Sequence, residues 1–337
     1  MINLPHSPWF APLLAAALSA ATLGLLARGR GRLPQDHPSG RSLHDQPVSR
    51  VGGLAIWAGF IPVALLYPAP VPDGWVWLGA WVAVLAVSVV DDWTGVRPPL
   101  RLAVHALAAL AVAWALLRQD AAQGLSLPLV LAITGTAFAI VWGANLFNFM
   151  DGSDGLAALM AICGFGAFGV ALTRAGLRAD ACFALVAATS VFLAVNVPPA
   201  RAFMGDGGSV GLGFLAAVFG VAGIHAGIWP AWFPLLVFLP FVADATLTVL
   251  LRLARGEHLF EAHRTHYYQR LHRMGRGHRG TLLFYGVLIA GTSTSALFAL
   301  AVAPGAGWWV LAAWAGAIGA LFAGIDYHWR RRSPEEQ

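Results

Sequence analysis

The sequence predicts an all-α, polytopic integral membrane protein of about eleven transmembrane helices, with the N-terminus outside and the C-terminus cytoplasmic. Three observations predict it. Of 337 residues, 58% are hydrophobic and only 11% charged, against roughly 25% charged in a soluble globular chain. Mean hydropathy is +0.69, which leaves too little charge to coat a surface in water and excludes a soluble enzyme, a disordered chain and a coiled coil. The apolar residues also fall in long runs, and about 20 residues of helix cross roughly 30 Å of hydrocarbon.

In chain order the runs are 9–27, 51–68, 75–90, 100–118, 128–147, 155–173, 180–196, 209–228, 231–251, 281–303 and 308–325. The first lacks a basic leader and is followed at once by Arg28, so it reads as an uncleaved anchor rather than a signal peptide. The third and seventh are short, and Pro62, Pro230, Pro234 and Pro240 are placed to end or kink the second and ninth. No soluble segment separates the runs. Residues 1–337 therefore read as a single transmembrane catalytic domain, with the longest loop, 252–280, rich in His and Arg. No internal repeat is visible.

Arginine sets the orientation. All 21 basic residues are Arg, and with the N-terminus outside only Arg118, Arg174 and Arg178 fall on the outer side, a strong positive-inside bias. Scattered between apolar runs, they form no phosphate-tracking stripe, so no nucleic-acid partner is expected. Cys163 and Cys182 lie in apolar segments without a CxxC spacing and read as small core residues.

Of the 16 acids only Asp73, Asp120 and Asp180 fall outside; the others collect at inner helix ends, in inner loops and in the tail. Carboxylates held at a membrane interface need a partner or a function. Asp91 and Asp92 end the third run, where adjacent carboxylates call for a bound cation or one raised pKa, unless they mark a solvated helix end. Asn148, Asp151 and Asp154 follow at three-residue spacing among glycines, an oxygen-rich set suited to a hard cation or to a sugar or base, or else a capped helix start. Asp206 stands in a Gly-rich loop that opens the eighth run, a place for a phosphate or for the metal a phosphate shares. In the long loop, His263, Arg264 and His266 suit a metal-bound pyrophosphate: Arg offers bidentate phosphate contacts and His titrates near neutral pH. The arginines from Arg273 to Arg279 read as an anionic-lipid anchor. Asp244, inside the ninth run, is the residue that best fits a rival reading as a secondary transporter, although such carriers place their charges at the midplane between inverted repeats.

The segments SLHDQPVSRVGGLAI, DDWTGVRPPLRL, NLFNFMDGSDGLA, NVPPARAFMGDGGSVGLG and AHRTHYYQRL, in this order, resemble the polyprenyl-phosphate N-acetylhexosamine-1-phosphate transferases over residues 42–271. The resemblance implies transfer of a HexNAc-1-phosphate from a UDP-N-acetylhexosamine (UDP-GlcNAc or UDP-FucNAc-like) to undecaprenyl phosphate, with release of UMP. It implies Mg²⁺, with Mn²⁺ as a substitute, and a site on the cytoplasmic face of the bacterial inner membrane; related enzymes are often homodimers. Position by position, Asp91 and Asp92 match the catalytic acidic pair, one of them orienting or deprotonating the lipid phosphate, and Asp206 matches the metal ligand, with Asp92 beside it. Asn148, Asp151 and Asp154 match the central acidic motif; His263, Arg264 and His266 match the loop that contacts donor phosphates and sugar; His44, Asp45 and Arg50 match the first cytoplasmic motif. Tyr267, Tyr268 and Gln269 stand where the peptidoglycan translocase branch carries further histidines. That departure favours simple UDP-HexNAc donors and the enzymes that begin O-antigen synthesis.

Overall fold

A computed structural model describes residues 7–29, 35–36, 48–67, 74–121, 126–258 and 263–332. Its helices are α1 Phe10–Arg28, α2 Gly52–Leu66, α3 Gly74–Thr94, α4 Pro98–Ala121, α5 Leu127–Met150, α6 Leu156–Arg174, α7 Asp180–Asn196, α8 Asp206–His225, α9 Trp232–Val237, α10 Leu239–Ala254, α11 Tyr267–Leu271, α12 Gly277–Val302 and α13 Gly307–Arg330. Among the described residues the only strand pairing is the two-residue antiparallel contact of Gln35–Asp36 with Val48–Ser49. The protein is an all-α polytopic membrane protein.

Every apolar run forms helix, but not always one membrane-length helix. Eight helical segments among the described residues are long and apolar enough to span: α1, α3, α4, α5, α6, α8, the continuous stretch Tyr267–Val302, and Pro304–Arg330. Helices α2 and α7 are shorter, at 15 and 17 residues. The ninth run, expected as one span over 231–251, is two helices meeting at Phe238, with proline in the first turn of α10. Pro240 has no N–H to give the preceding turn, so α9 stops and a new axis starts. The His/Arg loop is also more ordered than a plain loop: it contains α11 and a π-helical turn, His272–Arg276, where Gly275 takes φ 88°.

Helix α8 is the most enclosed of the spans. Its glycines make that possible, because bare backbone lets neighbours approach within van der Waals distance. A Cβ on Gly211 would lie 2.5 Å from the Trp57 ring, and one on Gly213 would lie 2.4 Å from the Gly143 carbonyl. Outward faces carry exposed Leu107, Phe138, Leu283, Val287 and Phe298, as expected where lipid tails are the solvent. Exposed Trp9, Trp75, Trp308 and Trp309 stand at the starts of α1, α3 and α13. With α2, α7 and the α9–α10 pair counted as crossings too, alternation puts those starts at one end of the bundle, the arrangement of an interfacial aromatic belt.

At the opposite end, two backbone crossings bring distant sequence together. The Gly52 and Gly53 N–H groups that open α2 each donate at 2.9 Å to the Phe203 and Met204 carbonyls, and the Phe203 N–H donates to the Ser49 carbonyl at 2.8 Å. The residues just before α2 are thereby held against the loop that leads into α8.

Candidate active site

The centre forms where the end of α3, the first turn of α4, the α5–α6 turn and the start of α8 converge. Gly95, at φ 70°, lets the chain reverse between α3 and α4, and Asp91 closes that reversal by accepting the Val96 N–H at 2.6 Å. Its other oxygen meets the Arg101 guanidinium, which also donates to Asp206 Oδ2 at 2.8 Å. One cation therefore joins carboxylates from two helices.

Asp92 caps α8 from another helix. Its Oδ1 accepts the Asp206 N–H at 3.0 Å and its Oδ2 the Gly207 N–H at 2.9 Å, so a full negative charge sits on the positive end of the helix dipole. Gly205 makes the approach possible: its φ is 74°, and a Cβ there would lie 2.4 Å from the Arg50 carbonyl and 2.8 Å from Asp92 Oδ2. Arg50, Leu54, Val89, Asp92, Met204 and Gly207 line a shallow cleft here.

Asp151 terminates α5 in the same neighbourhood. Burial, and then the charges of Asp206 and Asp92, push its carboxyl well above the usual range, against the opposing pull of Arg50. Such crowding is relieved by a cation. Asn148, one turn back, donates to Ser209 on α8 at 3.4 Å. Asp154 does different work: it is buried, accepts the Ala200 N–H at 2.9 Å, and faces His278 Nδ1 at 3.6 Å. It ties the α5–α6 turn to the α7–α8 loop and to the start of α12.

The histidine loop docks on this centre through α11. Asp244 of α10 is fully buried and accepts the Tyr267 and Tyr268 N–H groups, each at 3.0 Å, capping α11 from outside; it also faces His266 Nδ1 at 3.2 Å and accepts the Tyr285 hydroxyl at 2.5 Å. Tyr268 then donates to the Phe149 carbonyl at 3.1 Å. Gly152 leaves it room, since a Cβ there would lie 2.1 Å from the Tyr268 hydroxyl. The His266 ring lies 5.9 Å from the Phe149 ring and 4.9 Å from His263, centroid to centroid.

His263 does not titrate near neutrality. Burial first, then the neighbouring His266 and Arg252, bring its pKa down to about 4, against weaker opposing pulls from Glu257 and Asp244. It meets donors and acceptors as a neutral imidazole. A histidine whose folded pKa lies below its unfolded value binds its proton in the unfolded chain first, so its contribution to stability is present at neutral pH and is lost as pH falls through the unfolded value toward the folded one. The thermal midpoint should fall between pH ~6.5 and ~4, and His263→Asn should flatten that limb of a melting-temperature profile. An unchanged limb would show that other groups cause it.

The structure thus brings Asp91, Asp92, Asp206, Asp151, Asn148 and Arg50 to one centre and sets His263 and His266 at its edge, with Asp154 in the support. Arg264 makes no ion pair among the described residues, and His44 and Asp45 lie outside them. Arg101, Tyr268 and the anchoring role of Asp244 were missed by the sequence reading. Arg101 left one signal, a cation in the first turn of an apolar helix ten residues after Asp91.

Residues 75–224 match the model of glycosyl transferase family 4. A probable undecaprenyl-phosphate N-acetylglucosaminyl 1-phosphate transferase of Bacillus subtilis is 26% identical over 74% of this chain and 72% of its own length. A decaprenyl-phosphate N-acetylglucosaminephosphotransferase of Mycobacterium leprae is 29% identical over 85% of this chain and 83% of its own. The family match covers a little under half of the chain, which in that part is similar to glycosyl transferase family 4. The part matched by the family model holds Asp91, Asp92, Arg101, Asn148, Asp151, Asp154 and Asp206, whereas the His263–His266 loop lies beyond it. An undecaprenyl-phosphate alpha-N-acetylglucosaminyl 1-phosphate transferase of Yersinia pestis is 31% identical over 54% of this chain and 53% of its own length.

Among the described residues no group of three or more His, Cys, Asp or Glu is preassembled for a metal. Mg²⁺ does not need one, because it keeps several waters and takes one or two carboxylates plus substrate phosphates. Asp206 fits that demand: it is an oxygen ligand among like charges, already facing a cation in Arg101.

Proposed function

We propose that the protein transfers an N-acetylhexosamine-1-phosphate from a UDP-N-acetylhexosamine to undecaprenyl phosphate, releasing UMP and forming the first lipid-linked intermediate of O-antigen or another envelope polysaccharide. The observation that carries this reading is the meeting of Asp91, Asp92, Asp151, Asp206 and Arg101 at the end of the bundle where the His263–His266 loop is docked. The positive-inside bias of arginine supports reading that end as cytoplasmic, where nucleotide sugars are available, and fits a seat in the bacterial inner membrane.

In the reaction an oxygen of the lipid phosphate attacks the sugar-linked phosphorus of the donor, a new P–O bond forms, and the bond to the UMP oxygen breaks. One anhydride replaces another, so positioning and charge screening carry the catalysis. Mg²⁺, or Mn²⁺ in its place, supplies neutralisation of the pyrophosphate when bound, through Asp206. Asp92 holds the start of α8 in place below it. Asp91 has both oxygens engaged, so it orients the acceptor through Arg101. Neutral His263, with His266 and Arg264, hydrogen-bonds the donor's oxygens.

A transporter would need an ionisable group able to bind and release its cargo inside the membrane. Asp244, the residue that suited that role in the sequence, is saturated by backbone, hydroxyl and imidazole partners. The decisive assay gives the purified protein undecaprenyl phosphate and a panel of UDP-GlcNAc, UDP-GalNAc and UDP-FucNAc and measures UMP. Release that requires both the lipid and a divalent cation is expected. Substrate flux into proteoliposomes without UMP would overturn the proposal.

A further inference from the structure

His105 is the one imidazole among the described residues whose two ring nitrogens are both buried without a hydrogen-bond partner. It is 4% exposed and sits in α4, seven residues into the helix from Pro98. A neutral imidazole carries one donor and one acceptor nitrogen, and buried polar atoms are rarely left unpaired in native proteins. This orphan is not in a remote part of the core. It lies one helical turn from Arg101 on the same face, and helical side chains lean back over the preceding turn, which here is the turn that carries Arg101. The charges that act on His105 are Arg101 and Asp91.

Arg101 has a conflict built into its position. Its guanidinium holds Asp91 and Asp206 together, yet the proposed reaction brings a divalent cation to the same Asp206 carboxylate, where two neighbouring cations repel each other. When Asp206 turns to the metal, the guanidinium loses a partner in a partly buried site, where an unpaired charge is costly. An acceptor one turn away, unused in the metal-free arrangement, would offset that loss.

We propose that His105 is a positioning residue for Arg101: its free imidazole nitrogen accepts a guanidinium N–H when Asp206 is taken by the cation, keeping Arg101 at Asp91 and clear of the metal. The inference rests on the transferase reading for the identity of the cation, and it deepens that reading by naming the group that lets the cation in. His105 touches neither substrate nor metal. Its effect is on how readily Asp206 is released.

The test measures the Mg²⁺ concentration that gives half-maximal thermal stabilisation of the full chain in detergent. His105→Leu, which fills the site without an acceptor, is expected to raise that concentration about tenfold, the factor that corresponds to one hydrogen bond of ordinary net strength. His105→Gln, which restores an acceptor, should stay within about threefold of the parent, less than half such a bond in free energy. In an Arg101→Gln background His105→Leu should add nothing, because the group it serves is gone. If the Leu protein does not fold, His105→Met makes the same comparison with a more adaptable side chain. An unchanged midpoint in the apolar variants, an equal shift in the Arg101→Gln background, or no Mg²⁺-dependent stabilisation of the parent would each overturn the proposal. A parent protein that is stabilised by Mg²⁺ and shows the predicted shifts, yet releases no UMP with any donor, would overturn the transferase reading and leave the His105–Arg101 coupling standing.

Discussion

The Asp206→Asn protein is expected to fold and to lose UMP release by about 1000-fold, the scale on which removal of one preorganised charge-stabilising group is felt at a reacting centre. The substitution is nearly isosteric. The backbone N–H of residue 206, which Asp92 accepts, is untouched, so the start of α8 keeps its cap, and Arg101 keeps Asp91. What disappears is a formal charge among Asp91, Asp92 and Asp151, and the melting temperature should therefore hold or rise slightly even as turnover collapses. Asp92→Asn makes the informative contrast. Asparagine can accept one of the two N–H groups that Asp92 satisfies, but its amide then turns a donor toward the other. Stability and activity should fall together, by about 1–3 kcal/mol in the former. Near-normal turnover in both proteins would remove the metal from this centre.

The difference between those two neighbours shows where sequence reasoning stops. Hydrophobic run length located the eight membrane-length helical segments among the described residues, because in a bilayer each segment must satisfy its own backbone and the apolar signal is long and local. The acidic clusters were legible for a related reason: charges are so scarce in this chain that each cluster stands out. Their roles were not legible. Asp92 acts on Gly207 across 115 positions and Arg101 on Asp206 across 105, and nothing in a local spacing encodes either contact. Asp154 looked equivalent to Asp151 three residues earlier, yet one is pinned to the Ala200 N–H and the other lies among like charges. The break at Phe238 was half visible, in Pro234 and Pro240, but prolines inside a run announce a kink without saying whether one helix or two results. Gly152 was legible only as a helix break; its need to be bare depends on Tyr268, more than a hundred residues away.

Replacing Asp244 by Ala should destabilise the protein more than any other single change at this end of the bundle. A buried carboxylate that receives two backbone N–H groups, a tyrosine hydroxyl, a threonine hydroxyl and an imidazole leaves all of them without an acceptor when it is removed. Each such group costs on the order of 1–3 kcal/mol when buried and unpaired. Local relaxation recovers part of that, so a net loss of about 3–5 kcal/mol is expected, as when one member of a buried ion pair is deleted. The damage should be localised. Two N–H groups in the first turn of α11 end on Asp244, so without it His266 and Tyr268 would leave the α5–α6 turn while the α1–α8 packing stayed in place. Limited proteolysis should then open new cleavage sites near Arg270 and Arg273, and donor KM should rise, because the residues that face the donor's oxygens are no longer held. Tyr285→Phe removes only the shortest of these bonds and should cost about 1–2 kcal/mol with donor KM nearly unchanged. If Asp244→Ala left donor KM at the parent value while stability fell, the histidine loop would be a structural strap with no part in binding the donor. If both moved together, the five bonds at Asp244 would be what converts a basic loop into a wall of the active site.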